Sequence, residues 1–165
     1  MLFFDRNHKE NAGYSLMEII TVIAISSILM VIAASMFTSF AKNRNLKEAG
    51  AALMSDMKLA KQRAAAESVP YVIYIYENTN TYTIKDCCDT ECNNLGCVYN
   101  VTNNLSNYGS NVTFTDDSTA YDIVRFYSRG TCSSGHITLQ NSLGSTIKII
   151  TSISGRIRSE QTLKN

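Results

Sequence analysis

The chain has 165 residues, of which 45% are hydrophobic and 18% charged, and its formal net charge is +1. A near-neutral balance gives no overall attraction to nucleic acid, so any such binding must come from a local patch. The two histidines, His8 and His136, have no serine and carboxylate set around them, and the sequence has no phosphate-binding glycine loop. We therefore expect neither enzyme activity nor a cofactor.

The first 40 residues combine a polar leader, 1–13, with a long apolar run. From 19 to 40 the run contains no charged residue. At about 1.5 Å per helical residue it is long enough to cross a hydrocarbon layer of about 30 Å. Buried helices of soluble proteins seldom stay uncharged for so long, and secretory signal peptides have apolar regions of only about 7–15 residues. The sequence predicts a membrane-spanning helix over 14–40.

One carboxylate, Glu18, lies near the start of this apolar segment. A carboxylate in hydrocarbon costs at least about 2.5–3.5 kcal/mol, and such residues usually have a partner. If the chain is cut after Gly13, Tyr14 carries a new α-amino group one helical turn from Glu18. The amine of a neighbouring copy then meets this carboxylate, and the contact sets the register between subunits. An ordinary signal-anchored exported protein predicts no processing after Gly13.

The stretch GYSLMEIITVIAISSILMVIAA, 13–34, resembles the class III leader and N-terminal helix of type IV pilins and pseudopilins. The resemblance implies that a prepilin peptidase cleaves after Gly13, that Tyr14 becomes the N-methylated first residue, and that Glu18 guides assembly. The partners implied are other pilins or pseudopilins in a helical filament. The implied location is the bacterial inner membrane, spanned once, with the head outside the cytoplasm until the subunit enters the filament. Tyr14 replaces the phenylalanine that most members have.

From 41 to 68 the pattern changes to that of an amphipathic helix. Charged residues, Lys58 and Lys61 among them, fill the other faces of the helix. Since alanine occupies so many inward positions, a sheet is a better partner for the apolar stripe than a second helix in a coiled coil. The residue before Pro70 avoids helix, so one helix is predicted over about 14–68. The apolar stripe consists of Leu46, Ala49, Leu53, Met57, Ala60 and Ala64.

Beyond Pro70, aromatic and β-branched residues alternate with turns, which predicts strands. A hairpin is expected over 71–85, and a second one from the strands YDIVRFYS (121–128) and HITLQNS (136–142). The segment 145–159 predicts a strand, a Ser-Gly turn and a short last strand. The fold class is therefore α+β, with a long N-terminal helix packed on an antiparallel β-sheet head over 69–165. The middle, 86–122, is interpreted as a variable insert.

The C-terminal half is similar to the heads of minor pseudopilins of the GspH/FimT family. The residues concerned are IVRFYSRGTCSSGHITL, 123–139, followed by STIKIITSISGRIR, 145–158. The implied function is that of a minor pilin or pseudopilin in a type II secretion or type IV pilus-like filament, where the head primes or caps the filament or contacts cargo. Which of these systems the filament serves is left open by the sequence.

Four of the five cysteines lie in an asparagine-rich insert, 86–98. A zinc site commonly needs two Cys-x₂₋₄-Cys pairs, and only one half fits; the Cys-x-x-Cys pair of redox proteins is absent. Structural disulfides suit a head outside the cytoplasm, and an odd count leaves one thiol over or joined to another subunit. We expect a bridge from Cys132 to the insert. The insert cysteines are Cys87, Cys88, Cys92 and Cys97.

An acidic loop, with Asp116, Asp117 and Asp122, lacks the EF-hand pattern and is interpreted as solvated, so no metal is expected. The turn SGRIRS, 154–159, in contrast, presents Arg156 and Arg158 at alternate positions of one strand. Lys148 and Lys164 extend this face. Such cations neutralise phosphates without distinguishing their sequence, and GRIR resembles the GRxR pattern of FimT-type minor pilins that bind DNA for natural transformation. The alternative is that these arginines are solubilising charges or contact a neighbouring pseudopilin.

Overall fold

The computed structural model describes residues 14–87, 98–115 and 123–164. One helix, α1 (Leu16–Glu67), precedes a series of strands, and the chain divides into two compact units, Met1–Phe37 and Thr38–Asn165. Short 3₁₀ turns occur at Glu77–Thr79 and Leu105–Tyr108. The strands are β1 (Tyr71–Tyr76), β2 (Thr81–Asp86), β3 (Asn100–Asn104), β4 (Val112–Phe114), β5 (Ile123–Phe126), β6 (Gly135–Asn141), β7 (Thr146–Thr151) and β8 (Ile157–Thr162).

The described part of the first unit, 14–37, is an apolar and mostly helical stretch that contributes no residue to the described core. The most apolar part of α1 has a mean hydropathy of 2.5, and none of its residues is buried. By length and composition it fits a single-pass membrane anchor. The helix ends where Ser68 adopts a left-handed conformation, φ 58°, two residues before Pro70. The predicted long helix is confirmed, with observed bounds Leu16–Glu67.

The head consists of two four-stranded sheets, ordered β3-β2-β1-β5 and β4-β6-β7-β8. Every strand pair in them is antiparallel. The predicted hairpins of β1 with β2 and of β7 with β8 are confirmed. The middle segment, interpreted from sequence as a variable insert, contributes β3 to one sheet and β4 to the other. These α and β elements confirm the predicted fold class, α+β with antiparallel sheets.

The predicted hairpin of β5 with β6 is wrong. β5 pairs with β1, in register Tyr71↔Phe126, whereas β6 lies between β4 and β7 in the other sheet. Only an isolated bridge joins Phe126 to Cys132, next to a turn in which the Tyr127 amide donates to the Thr131 carbonyl. The segment between β5 and β6 therefore carries the chain from one sheet to the other. In the first sheet, β5 pairs with the side of β1 that β2 does not occupy.

The hydrophobic core lies between α1 and both sheets. The predicted apolar stripe of the helix is buried, and Gly50 within it allows close packing, since a Cβ there would lie 3.1 Å from Ile147 Cδ1. Polar contacts also attach the helix. Asn43 donates to the carbonyl of Lys164 (2.9 Å) and accepts from Asn141 (2.9 Å) and Ser145 (2.7 Å). The core residues that meet the stripe include Tyr71, Ile73, Tyr82, Phe126, Leu139, Ile147 and Ile149.

A buried tyrosine hydroxyl links α1 to the first sheet. The hydroxyl of Tyr82 donates to Asp56 Oδ2 (2.6 Å), which also accepts from Asn103 Nδ2 (2.8 Å). Burial, followed by the hydrogen bond to Asp56, raises the pKa of Tyr82 above its ordinary value. Asp56 thus provides the acceptor for a side chain that is fully buried.

Replacing Asp56 by alanine is expected to lower the free energy of unfolding of the head by about 2 kcal/mol, because it leaves the buried Tyr82 hydroxyl without an acceptor. Asp56→Asn keeps an acceptor oxygen at the same place and is the matched control, with a loss of less than half that size. Urea unfolding followed by tyrosine fluorescence measures both. Equal losses for the two variants would contradict the assigned role of the hydrogen bond.

Candidate assembly and binding surfaces

The start of α1 carries the predicted assembly residues. Tyr14 is 79% exposed and precedes the helix, and the Ser15 carbonyl accepts the amides of Glu18 (3.0 Å) and Ile19 (3.2 Å). Glu18 is exposed in the first turn, where the positive end of the helix dipole favours a carboxylate. Gly13 lies outside the described residues.

The neighbours of the Glu18 side chain on the helix surface are mainly apolar. Glu18 shares a shallow groove with Tyr14, Ile19, Val22 and Ile23. No lysine or arginine occurs between residue 14 and residue 41, so this stretch supplies no basic side chain to pair with it. In hydrocarbon such a carboxylate needs a cation from elsewhere.

The turn before β8 is fixed by its glycine. Gly155 has φ 78°, and a Cβ at this position would overlap the carbonyl oxygen of Gly130. The carbonyl of Gly155 accepts a hydrogen bond from Lys61 Nζ (2.8 Å), and its amide donates to Ser152 (2.8 Å). The glycine of the GRIR motif is thus needed for close packing between two turns.

Arg156 and Arg158 line one groove, together with Ile150, Ser152 and Ser154. On β7 the side chains of Ile147, Ile149 and Thr151 point inward, which leaves Lys148 on the outer face, diagonal to Arg158. The structure therefore places three of the four predicted cations, Arg156, Arg158 and Lys148, on neighbouring positions of one surface.

A carboxylate lies within this basic surface. Glu160 is opposite Lys148 in the register of β7 and β8, and its Oε1 is 3.6 Å from the Arg158 guanidinium. Lys164, predicted to extend the surface, instead follows the far end of β8, where its side chain lies beside Gly144. The sequence pattern suggested a longer cationic face than the one that the sheet forms.

The cysteines divide into two environments. Cys87 is disulfide-bonded and buried, and its amide donates to the Pro70 carbonyl (2.7 Å). Cys132 is a free thiol in the core, where Sγ donates to the Ser152 carbonyl (3.0 Å) and burial raises the pKa of the thiol. The expected bridge from Cys132 to the insert is not formed, because Cys132 packs beneath the turn before β8. Cys88, Cys92 and Cys97 lie outside the described residues, as do Asp116, Asp117 and Asp122.

Two groups of functional candidates were missed from sequence. Asp86 accepts the amides of Val98 (3.1 Å) and Tyr99 (3.0 Å), so its carboxylate holds together the two ends of the cysteine-rich insert. Lys58 and Lys61, assigned only to polar helix faces, line a groove together with Arg156. A spacing of three residues showed that the two lysines share a helix face, but nothing in the sequence placed Arg156 beside them.

Several solved structures share this fold. The minor pseudopilin EpsH from the type 2 secretion system of Vibrio cholerae is 11% identical, with a TM-score of 0.55, and the match covers 71% of this chain and 97% of that chain. The type IV minor pilin FimU of Pseudomonas aeruginosa is 14% identical, with a TM-score of 0.58, and the match covers 73% and 92%. No protein-family model matches the sequence, and comparison with curated proteins gives no match. The likenesses show a type IV pilin-like fold, as predicted.

Proposed function

We propose that this chain, with its type IV pilin-like fold, is a minor pilin or pseudopilin, a non-enzymatic subunit of a type II secretion or type IV pilus-like filament. Residues 1–13 are the leader removed by prepilin peptidase, 14–40 the membrane and filament-core segment, and 41–68 the amphipathic half of the helix. The head, 69–165, lies outside the cytoplasm and primes or caps the filament or contacts cargo.

The observation that carries this proposal is the start of α1. An exposed apolar helix with one carboxylate in its first turn, Glu18, begins two residues after Tyr14. Cleavage after Gly13 places a cationic amine on Tyr14, about one helical turn before that carboxylate in the sequence. In a neighbouring subunit shifted along the helix axis, the same amine neutralises Glu18 within the membrane. Two proteins with this fold support the proposal, since EpsH is a minor pseudopilin of a type 2 secretion system and FimU is a type IV minor pilin.

Mass analysis of the native N-terminus tests the proposal. The expected first residue is Tyr14 carrying a methyl group on its α-nitrogen. A chain that still begins with Met1, or that begins at any residue other than Tyr14, would overturn it. Blocking the cleavage with Gly13→Ala gives the reference mass of the unprocessed protein once the added methylene of the substitution is subtracted.

A second candidate function is DNA binding for uptake, favoured by the shared groove of Arg156 and Arg158 with Lys148 beside it. In this case the cations contact the phosphate backbone, and Glu160 opposes the binding. The filament then carries a DNA receptor.

We expect the full chain in detergent micelles, if it is a DNA receptor, to bind duplex DNA with an affinity that falls steeply with salt. Arg156→Gln with Arg158→Gln would weaken binding roughly tenfold, and Glu160→Gln would strengthen it, because a negative charge leaves the surface. Lys47→Gln, which removes an exposed cation on α1, is the control. Gel shifts at two salt concentrations measure these effects, and salt-insensitive binding would exclude phosphate contacts.

A further inference from the structure

A groove runs between the second half of α1 and the residues that lead into β8. Its helical wall is formed by Lys58, Lys61, Gln62 and Ala65, which follow the spacing i, i+3, i+4, i+7 and so form one stripe. Gly155, Arg156 and Ile157 form the opposite wall. The apolar stripe of α1 that packs on the sheets lies on a different face of the helix, so this flank is left uncovered.

The lining of the groove carries positive charge and no carboxylate. Lys58 and Arg156 are exposed, and the side chain of neither residue makes a hydrogen bond or ion pair within the described part of the chain. Lys61 is half-buried and donates to the Gly155 carbonyl. Ala65, Ile157 and the aliphatic stems of the lysines supply apolar surface. The groove therefore combines an apolar lining with unpaired cations.

The walls are held in place before anything binds. The Lys61 hydrogen bond connects them directly, and the close approach of Gly155 to the Gly130 carbonyl fixes the turn against the segment after β5. Cys132 bonds to the Ser152 carbonyl from below. A partner that enters this groove meets a preorganised surface, which reduces the entropy cost of binding.

We propose that this groove binds an acidic and apolar polypeptide segment on the head of a neighbouring subunit, an inference that rests on the filament function proposed above. A carboxylate of the segment pairs with Lys58 and Arg156, and an adjacent apolar side chain lies against Ala65 and Ile157. A nucleic acid backbone fits less well, because it offers phosphates but no apolar side chain to such a lining. A neighbouring subunit that packs along α1 contacts the side of this helix that is not covered by the sheets of the same chain.

Photo-crosslinking in assembled filaments tests this. The full chain carries p-benzoylphenylalanine in place of Gln62, which lines the groove, or in place of Ser55, which is exposed on α1 outside it. We expect the Gln62 position, and not the Ser55 position, to crosslink to one peptide of a neighbouring subunit that contains Asp or Glu. Lys58→Glu is expected to lower the crosslink yield roughly fivefold or more, while Lys47→Glu, an exposed charge reversal elsewhere on α1, leaves it unchanged.

A charge swap completes the experiment. Replacing the identified acidic residue of the partner by lysine is expected to restore the crosslink in the Lys58→Glu background. Crosslinks to DNA, to peptides without an acidic residue, or yields unaffected by Lys58→Glu would overturn the inference. The amount of the chain in the filaments is measured first. Its absence from the filaments contradicts the proposed filament function. Its presence without the expected crosslink contradicts only the binding role proposed for this groove.

Discussion

Replacing Glu18 by alanine is expected to leave the chain in the inner membrane and to lower its recovery in sheared filaments by roughly a hundredfold. The variant gains apolar character, so insertion into the bilayer does not suffer. In the filament, however, the terminal amine of a neighbouring Tyr14 loses its anionic partner. An unpaired charge in hydrocarbon costs about 2.5–3.5 kcal/mol, which corresponds to that loss of incorporation.

Glu48→Ala is the matched control for this experiment. Glu48 is also an exposed glutamate of α1, and among the described residues its ion pair is with Arg44 of the same helix, 2.8 Å away. Such surface pairs contribute little, so normal incorporation is expected. Immunoblots of membrane and filament fractions measure both variants. Wild-type recovery of Glu18→Ala in filaments would remove the role assigned to the carboxylate.

The helix could be predicted from sequence because its determinants are local. The uncharged run and the stripe from Leu46 to Ala64 depend on spacing along one element, and Pro70 limits it at one end. Sheet membership depends on contacts between distant segments. The alternation of residues in 123–126 identified β5 as a strand. Its partner is β1 rather than β6 because one edge of β1 is otherwise unpaired, and this depends on how distant strands pack.

The candidate sites follow the same division. Glu18 and Arg156 could be found from sequence, because each belongs to a short motif whose residues are close together in the chain. The groove of Lys58 with Arg156 joins residues nearly a hundred positions apart and depends on where the Gly155 turn packs. The free thiol of Cys132 could not be predicted either, since cysteine count and spacing do not reveal that its side chain faces the core.

Gly155→Ala is expected to destabilise the head by about 3 kcal/mol or more. Two costs combine at this position. A left-handed conformation, φ 78° here, costs a non-glycine residue roughly 1–2 kcal/mol. The new Cβ also overlaps the Gly130 carbonyl oxygen, which is main chain and cannot move aside as a flexible side chain does. The turn must therefore shift, and with it the hydrogen bond from Lys61 and the position of Arg156.

Gly130→Ala separates these two costs. Gly130 has φ 81°, close to that of Gly155, but a Cβ there meets no atom within 4 Å, so only the conformational cost of roughly 1–2 kcal/mol remains. Urea unfolding of the Thr38–Asn165 unit, which contains the entire described core, measures both variants. A loss for Gly155→Ala no larger than that for Gly130→Ala would contradict the close packing of the two turns. The expected difference would show that the motif glycine fixes the wall from which Arg156 projects, whichever partner the arginine contacts.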